Sequence, residues 1–195
     1  EKKRNQTSSN LSNVKVGLDV LLDDRLELIQ NKSIGLVTNQ TGVDGNGTPN
    51  YERFMALDDV TLKIIFSPEH GLFGEAEAGE KVQYNGQMKS LPKVVSLYGK
   101  NRKPTKEQLA DLDIIIYDIQ DIGARFYTYI STMGLVMAAA AEAGIQIIVL
   151  DRPNPITGNQ IEGPILNLNN QSFVGYYPIP IRYGLTVGEL AKMIV

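Results

Sequence analysis

LKIIFSPEHGLFG, residues 62–74, decides how this chain folds. Leu62, Ile64, Ile65 and Phe66 make a run that is almost continuously apolar, and it stops at Ser67-Pro68. A strand with one wet face alternates apolar and polar residues. A strand covered on both faces, as in a parallel sheet, reads as a continuous run. Four further runs have the same character, at residues 34–38, 94–97, 114–117 and 145–150.

Helical patterns lie between these runs. Residues 19–30 place Val20, Leu21, Leu28 and Ile29 along one face. Thr48-Pro49 predicts an N-cap followed by a first-turn proline, with Phe54, Met55 and Leu57 as the apolar side of that helix. Thr105 and Gln108 form a capping box ahead of Leu109 and Leu112. Residues 131–143 predict a helix stopped by Gly144. Its alanine run, 138–141, suits close packing on a sheet, and Met133 and Met137 are read as core. Thr186 and Glu189 form a second capping box, opening a helix that carries Leu190, Met193 and Ile194. Alternating strands and helices predict an α/β layered domain with a mainly parallel sheet, right-handed crossovers and helices on both faces. Residues 153–183 break the rhythm with Pro153, Pro155, Pro164, Pro178, Pro180 and several glycines. An irregular excursion of that length in a compact domain usually carries function.

Composition excludes several classes. Among 195 residues the net charge is −3, so no basic stripe invites nucleic acid. No apolar stretch approaches the roughly 18 residues of a membrane helix. Cysteine is absent, which removes disulfides, thiol nucleophiles and thiolate metal sites; the single histidine removes histidine-rich metal centres. Neither a metal nor a cofactor is expected. No G-x-G-x-x-G follows a strand into a helix, and neither a Walker A loop nor a G-x-S-x-G elbow occurs.

In open α/β sheets, ligands bind beyond the carboxyl ends of the strands. Asn39 follows the first run; Glu69 and His70 follow the second; Asp118, Asp121, Arg125 and Tyr127 follow the fourth. Asp151 and Arg152 follow the fifth, and Glu162 lies in the excursion beyond. Asp118 and Asp151 suit either a pocket or a cap on the next turn. Arg125 and Arg152 suit either a ligand anion or a structural ion pair, and His70 either a base or a hydrogen-bonded loop residue. Glu69 is the strongest acid candidate: proline and glycine constrain its backbone, and the apolar strand before it offers a desolvating wall, which favours a protonated carboxyl. Carboxylates around a pocket, without a nucleophile motif, point to acid/base hydrolysis.

VTNQTGVD (37–44), FSPEHGLFG (66–74), YDIQDIGARFYTY (117–129), LDRPNPI (150–156) and IEGP (161–164) resemble the NamZ-like family, also called YbbC-like, from about Val14 to the end of the chain. That resemblance implies a Rossmann-like catalytic domain at residues 14–195 and an exo-β-N-acetylmuramidase, a glycoside hydrolase releasing N-acetylmuramic acid from the non-reducing end of peptidoglycan fragments. The family's catalytic glutamate falls on Glu69, and Glu162 becomes a second carboxylate or substrate ligand. Asn39, Asp118, Arg125 and Asp151 match other family positions. Carboxyl separations of about 5–5.5 Å mark retention and about 6.5–9.5 Å inversion, with Glu162 or Asp118 as the second group; the alternative is attack by the substrate's own 2-acetamido group. Arg125 or Arg152 is the expected partner of the lactyl carboxylate. Non-catalytic binding of peptidoglycan sugars is the rival.

The resemblance carries further expectations. Residues 1–13 are a polar, disordered tail left after removal of an export signal, which puts the protein in the cell envelope, periplasmic or extracellular. Family members continue well beyond this length into a smaller carboxyl-terminal domain, so the stripe of Leu190, Met193 and Ile194 is left without a cover. Low activity of the single domain and self-association through that stripe are expected.

Overall fold

The computed structural model describes residues 14–75, 77 and 90–195. The expected tail at residues 1–13 lies outside them. Five strands, β1 (Lys32–Thr38), β2 (Val60–Ser67), β3 (Lys93–Ser96), β4 (Ile114–Asp118) and β5 (Gln146–Val149), form one sheet in the order β3-β2-β1-β4-β5. Every pairing is parallel. The fold is the expected Rossmann-like α/β sheet, and its strand order reverses between β1 and β4.

Helices cover both faces. On one side α1 (Gly17–Asp24) and α2 (Asn50–Met55) bring Leu18, Leu21 and Phe54 against Ile34, Leu36, Ile65, Ile114 and Ile116. On the other, α3 (Lys106–Leu109), α4 (Tyr129–Ala143) and α5 (Val187–Met193) bring Leu109, Ile130, Met133, Val136 and Leu190 against Val37, Phe66, Ile115 and Tyr117. Successive residues of β4 alternate between the two cores, the reason the strand reads as continuously apolar. Gly35, in mid-strand, lets Leu112 lie on the sheet: an added Cβ would sit 2.7 Å from its Cδ1.

Both capping boxes form as read, at Thr105/Gln108 and Thr186/Glu189. Gly144 ends α4 in the left-handed region (φ 70°), its N–H reaching Ala140 and Ala141.

Three readings need correction. The helix expected over 19–30 ends at Asp24 and gives way to a 3₁₀ turn at Leu26–Leu28. Asp23 and Asp24 place two acids at the negative end of the helix, and the chain must turn at once into β1. Thr48 does not cap α2: Pro49, with ψ 138°, is the N-cap. Asp44 instead holds the turn, accepting from the N–H groups of Asn46 and Thr48. Leu190, expected to lack a cover, is fully buried in the domain's own core, while Met193 is about half exposed (54%).

Candidate active site

The carboxyl edge of the sheet holds three groupings. The first is built on Glu69. β2 ends against Pro68, and the chain then passes through two consecutive left-handed residues, His70 (φ 70°) and Gly71 (φ 77°). Such backbone is strained for histidine and persists where surrounding packing enforces it. It turns the half-buried Glu69 across the sheet edge toward α4. There the Thr128 hydroxyl donates to Glu69 Oε2 at 2.8 Å. Thr128 occupies the N-cap position of α4 yet makes no side-chain cap: its backbone is helical (φ −77°, ψ −8°), not extended as at Thr105 and Thr186, and its hydroxyl reaches the glutamate. The Tyr98 hydroxyl, just beyond β3, lies beside Glu69, and that carboxylate pushes the phenol's pKa up.

Tyr129 connects this cluster to the next strands. Burial raises its pKa, against the pull of the neighbouring Asn39 amide, and Tyr127, Glu69 and Asp121 all reach it electrostatically. Asn39 is 2% exposed; its Oδ1 accepts from the backbone and hydroxyl of Thr41, while its Nδ2 lies near the Tyr129 phenol without hydrogen-bond geometry. Tyr127 is exposed and packs edge-on against Tyr129 at 6.1 Å. Asp121 is buried: Oδ2 accepts from the Gly123 N–H and from the Tyr183 hydroxyl, whereas Oδ1 has no partner. Burial drives the Asp121 carboxyl's pKa up, and those two hydrogen bonds oppose it. Glu69, Asn39, Tyr127 and Asp121 are therefore brought together.

The second grouping is Asp118 with Arg152, and it is structural. The Arg152 fork donates to both Asp118 oxygens, at 2.7 and 3.0 Å, with side chains 4% and 0% exposed. Asn50 Nδ2 donates to Asp118 as well as to Thr38 Oγ1, and Arg152 also donates to the Val43 carbonyl. Burial pushes Asp118's carboxyl up while Arg152 and Asn50 pull it down. This cluster fills the switch point between β1 and β4, where a doubly wound dinucleotide-binding domain would seat its ligand. Having no accessible surface, Asp118 cannot touch a substrate, and Arg152 is committed to it.

The third grouping ties down the excursion. Arg125 donates to the carbonyls of Pro164 and Ile179. Arg182 pairs with Glu162 at 2.7 Å, and their backbones exchange two further hydrogen bonds. Among the described residues no hydrogen bond joins Glu162 to Glu69. Asp151 caps α5, accepting from the Thr186 hydroxyl and the Gly188 N–H. Asp151 and Arg152 also line a cleft of about 870 Å³ between α1 and β5, in which Glu69, His70 and Tyr98 take no part. Among the described residues, no group of three or more His, Asp or Glu is placed to hold a metal, and no helix is long and apolar enough to cross a membrane.

The sequence puts Tyr98 just past the third apolar run without marking a role for it, and it does not mark Thr128 and Tyr129 as neighbours of Glu69 or Asn50 and Arg182 as anchors. The start of the helix after the fourth strand was the available signal, since it must open at the sheet's carboxyl edge.

A parallel sheet of this strand order, with a hydroxyl-held glutamate at its carboxyl edge, defines an α/β domain with a carboxylate-centred site. The chain belongs to the family Exo-beta-N-acetylmuramidase NamZ, N-terminal, which matches residues 34–195. It is 48% identical over 191 residues, 97% of its length, to the Peptidoglycan beta-N-acetylmuramidase NamZ of Bacillus subtilis (strain 168), of which it covers 46%. Two crystal structures of DUF1343 family proteins from Bacteroides fragilis share the fold. One is 46% identical with a TM-score of 0.83, covering 92% of this chain and 45% of that one; the other is 37% identical with a TM-score of 0.77, covering 94% and 47%. The chain thus spans about half the length of these relatives.

Proposed function

We propose that the protein is an exo-β-N-acetylmuramidase, releasing N-acetylmuramic acid from the non-reducing end of peptidoglycan fragments, with Glu69 as its general acid. The observation that carries this is the Glu69 carboxyl held by the Thr128 hydroxyl, with the Tyr98 phenol beside it, at the carboxyl edge of the sheet. Likeness to a named peptidoglycan β-N-acetylmuramidase supports the substrate class. Glu69 protonates the glycosidic oxygen as the bond to the sugar breaks. On the opposite face of the sugar Glu162 or the substrate's own acetamido group is proposed, because Asp118 is fully buried and paired with Arg152. His70 and Tyr127, which have accessible surface, are the proposed sugar contacts on the same edge; Asn39 and Asp121, 2% and 4% exposed, are proposed to position their neighbours. A peptidoglycan substrate supports a location in the cell envelope, periplasmic or extracellular.

The test is release of N-acetylmuramic acid from peptidoglycan fragments and from its para-nitrophenyl β-glycoside by the full-length protein. Binding of these sugars without release identifies a non-catalytic binding domain instead.

A further inference from the structure

Arginines are the natural partners of carboxylates, because the guanidinium fork matches two oxygens. Six arginines lie among the described residues, and five give their guanidinium to the protein itself. Arg25 pairs with Glu27 and Arg53 with Asp44. Arg125 is held by two carbonyls, Arg152 by Asp118 and Val43, and Arg182 by Glu162 and Gln160. Arg102, in the loop between β3 and α3, donates to no acceptor among the described residues.

Its position is nevertheless defined. The guanidinium carbon stands 4.4 Å from the centroid of the Phe173 ring. Phe173 is itself anchored, its carbonyl accepting from Ser131 Oγ on α4 at 2.7 Å, and its ring meets that of Tyr98 at 6.5 Å. Tyr98 is the residue whose phenol lies beside Glu69, and the charge of Arg102 is close enough to pull that phenol's pKa down. A cation stacked on an aromatic face keeps its in-plane donors available to an anion. The residues run in order from Glu69 through Tyr98 and Phe173 to Arg102, a wall with the acid at one end and an uncommitted fork at the other.

We infer that Arg102 binds the lactyl carboxylate of the terminal muramic acid and thereby selects it over N-acetylglucosamine. This assignment rests on the muramidase function proposed above. It replaces Arg125 and Arg152, whose guanidinium groups are taken by the protein. Because the lactyl group is not at the reacting centre, the contact is made equally in ground and transition states and is read in KM.

The full-length protein is assayed on para-nitrophenyl β-N-acetylmuramide, on the same glycoside with its lactyl carboxylate converted to a carboxamide, and on the N-acetylglucosaminide. Wild type is expected to prefer the carboxylate. Arg102→Gln lowers kcat/KM on it by about 10- to 100-fold through KM, as loss of a charge-assisted hydrogen bond dictates, and leaves the carboxamide within about 2-fold. Arg102→Lys, which keeps charge without the fork, recovers part of the loss. Lys100→Gln in the same loop changes neither substrate, separating a specific contact from a general field. Equal loss on both muramides, or no loss on either, overturns the assignment while leaving muramidase activity intact. A wild type that cleaves no muramide overturns the activity itself, and the assignment with it.

Discussion

The Thr128 hydroxyl donates to Glu69 Oε2 at 2.8 Å, joining the N-terminus of α4 to the residue two past the end of β2. A threonine at an N-cap normally satisfies its own helix. Here the backbone of Thr128 is helical, no cap forms, and its hydroxyl holds the glutamate. The position of Glu69 is thus set by two elements of the scaffold, as the acid role proposed for it requires.

Glu69→Gln in the full-length protein should fold normally and lose about 10²–10⁴-fold in kcat on a substrate with a poor leaving group. On a glycoside whose leaving group needs no proton the loss should be smaller. Near-normal turnover of the poor leaving group would remove Glu69 from the acid role.

Tyr98→Phe keeps the ring against Phe173 but removes the hydroxyl from Glu69, and Thr128→Val removes the second one. Each should lower kcat about 10-fold with little change in KM, the scale of a hydrogen bond to a charged group. Neither should have an added effect once Glu69 is glutamine. Additive losses in the double variants would mean that these hydroxyls act independently of Glu69.

Arg152→Ala strands Asp118 in the core and should cost about 3–5 kcal/mol in urea unfolding. Replacing Asp118 by Leu in the same chain should recover part of that, since the unpaired charge is then gone. A loss below about 1 kcal/mol for Arg152→Ala would show that the pair does not hold the switch point together.

Asp121 has a raised carboxyl pKa in the folded protein, through burial. A raised pKa means that the folded state binds the proton more tightly than the unfolded chain. Its stabilising contribution is therefore complete below the ordinary value of 3.8 and is lost as pH rises through the folded value. The unfolding free energy of wild type minus that of Asp121→Asn should fall across that window. A difference that stays flat, or grows with pH, would contradict the shift.

Local chemistry made much of the fold legible. The five strands are continuously apolar because residues such as Ile114 and Ile115 enter opposite cores. Thr105/Gln108, Thr186/Glu189 and Gly144 marked helix ends through bonds that span three or four residues. The α1 boundary was misread because apolar spacing continues past Asp24 while the backbone does not.

The site was legible in its residue types and only partly in their roles. An aspartate after a strand looks the same whether it accepts from a tyrosine hydroxyl, as Asp121 does, or from an arginine, as Asp118 does. A doubly covered parallel sheet and a set of polar groups at its carboxyl edge are readable from residue order, because both follow from patterns within single elements. The strand order, the pairing of Asp118 with Arg152 across 34 residues, and the clasp of Thr128 on Glu69 across 59 arise from the three-dimensional packing. Those contacts join different elements, and no short-range pattern encodes which strand ends become neighbours.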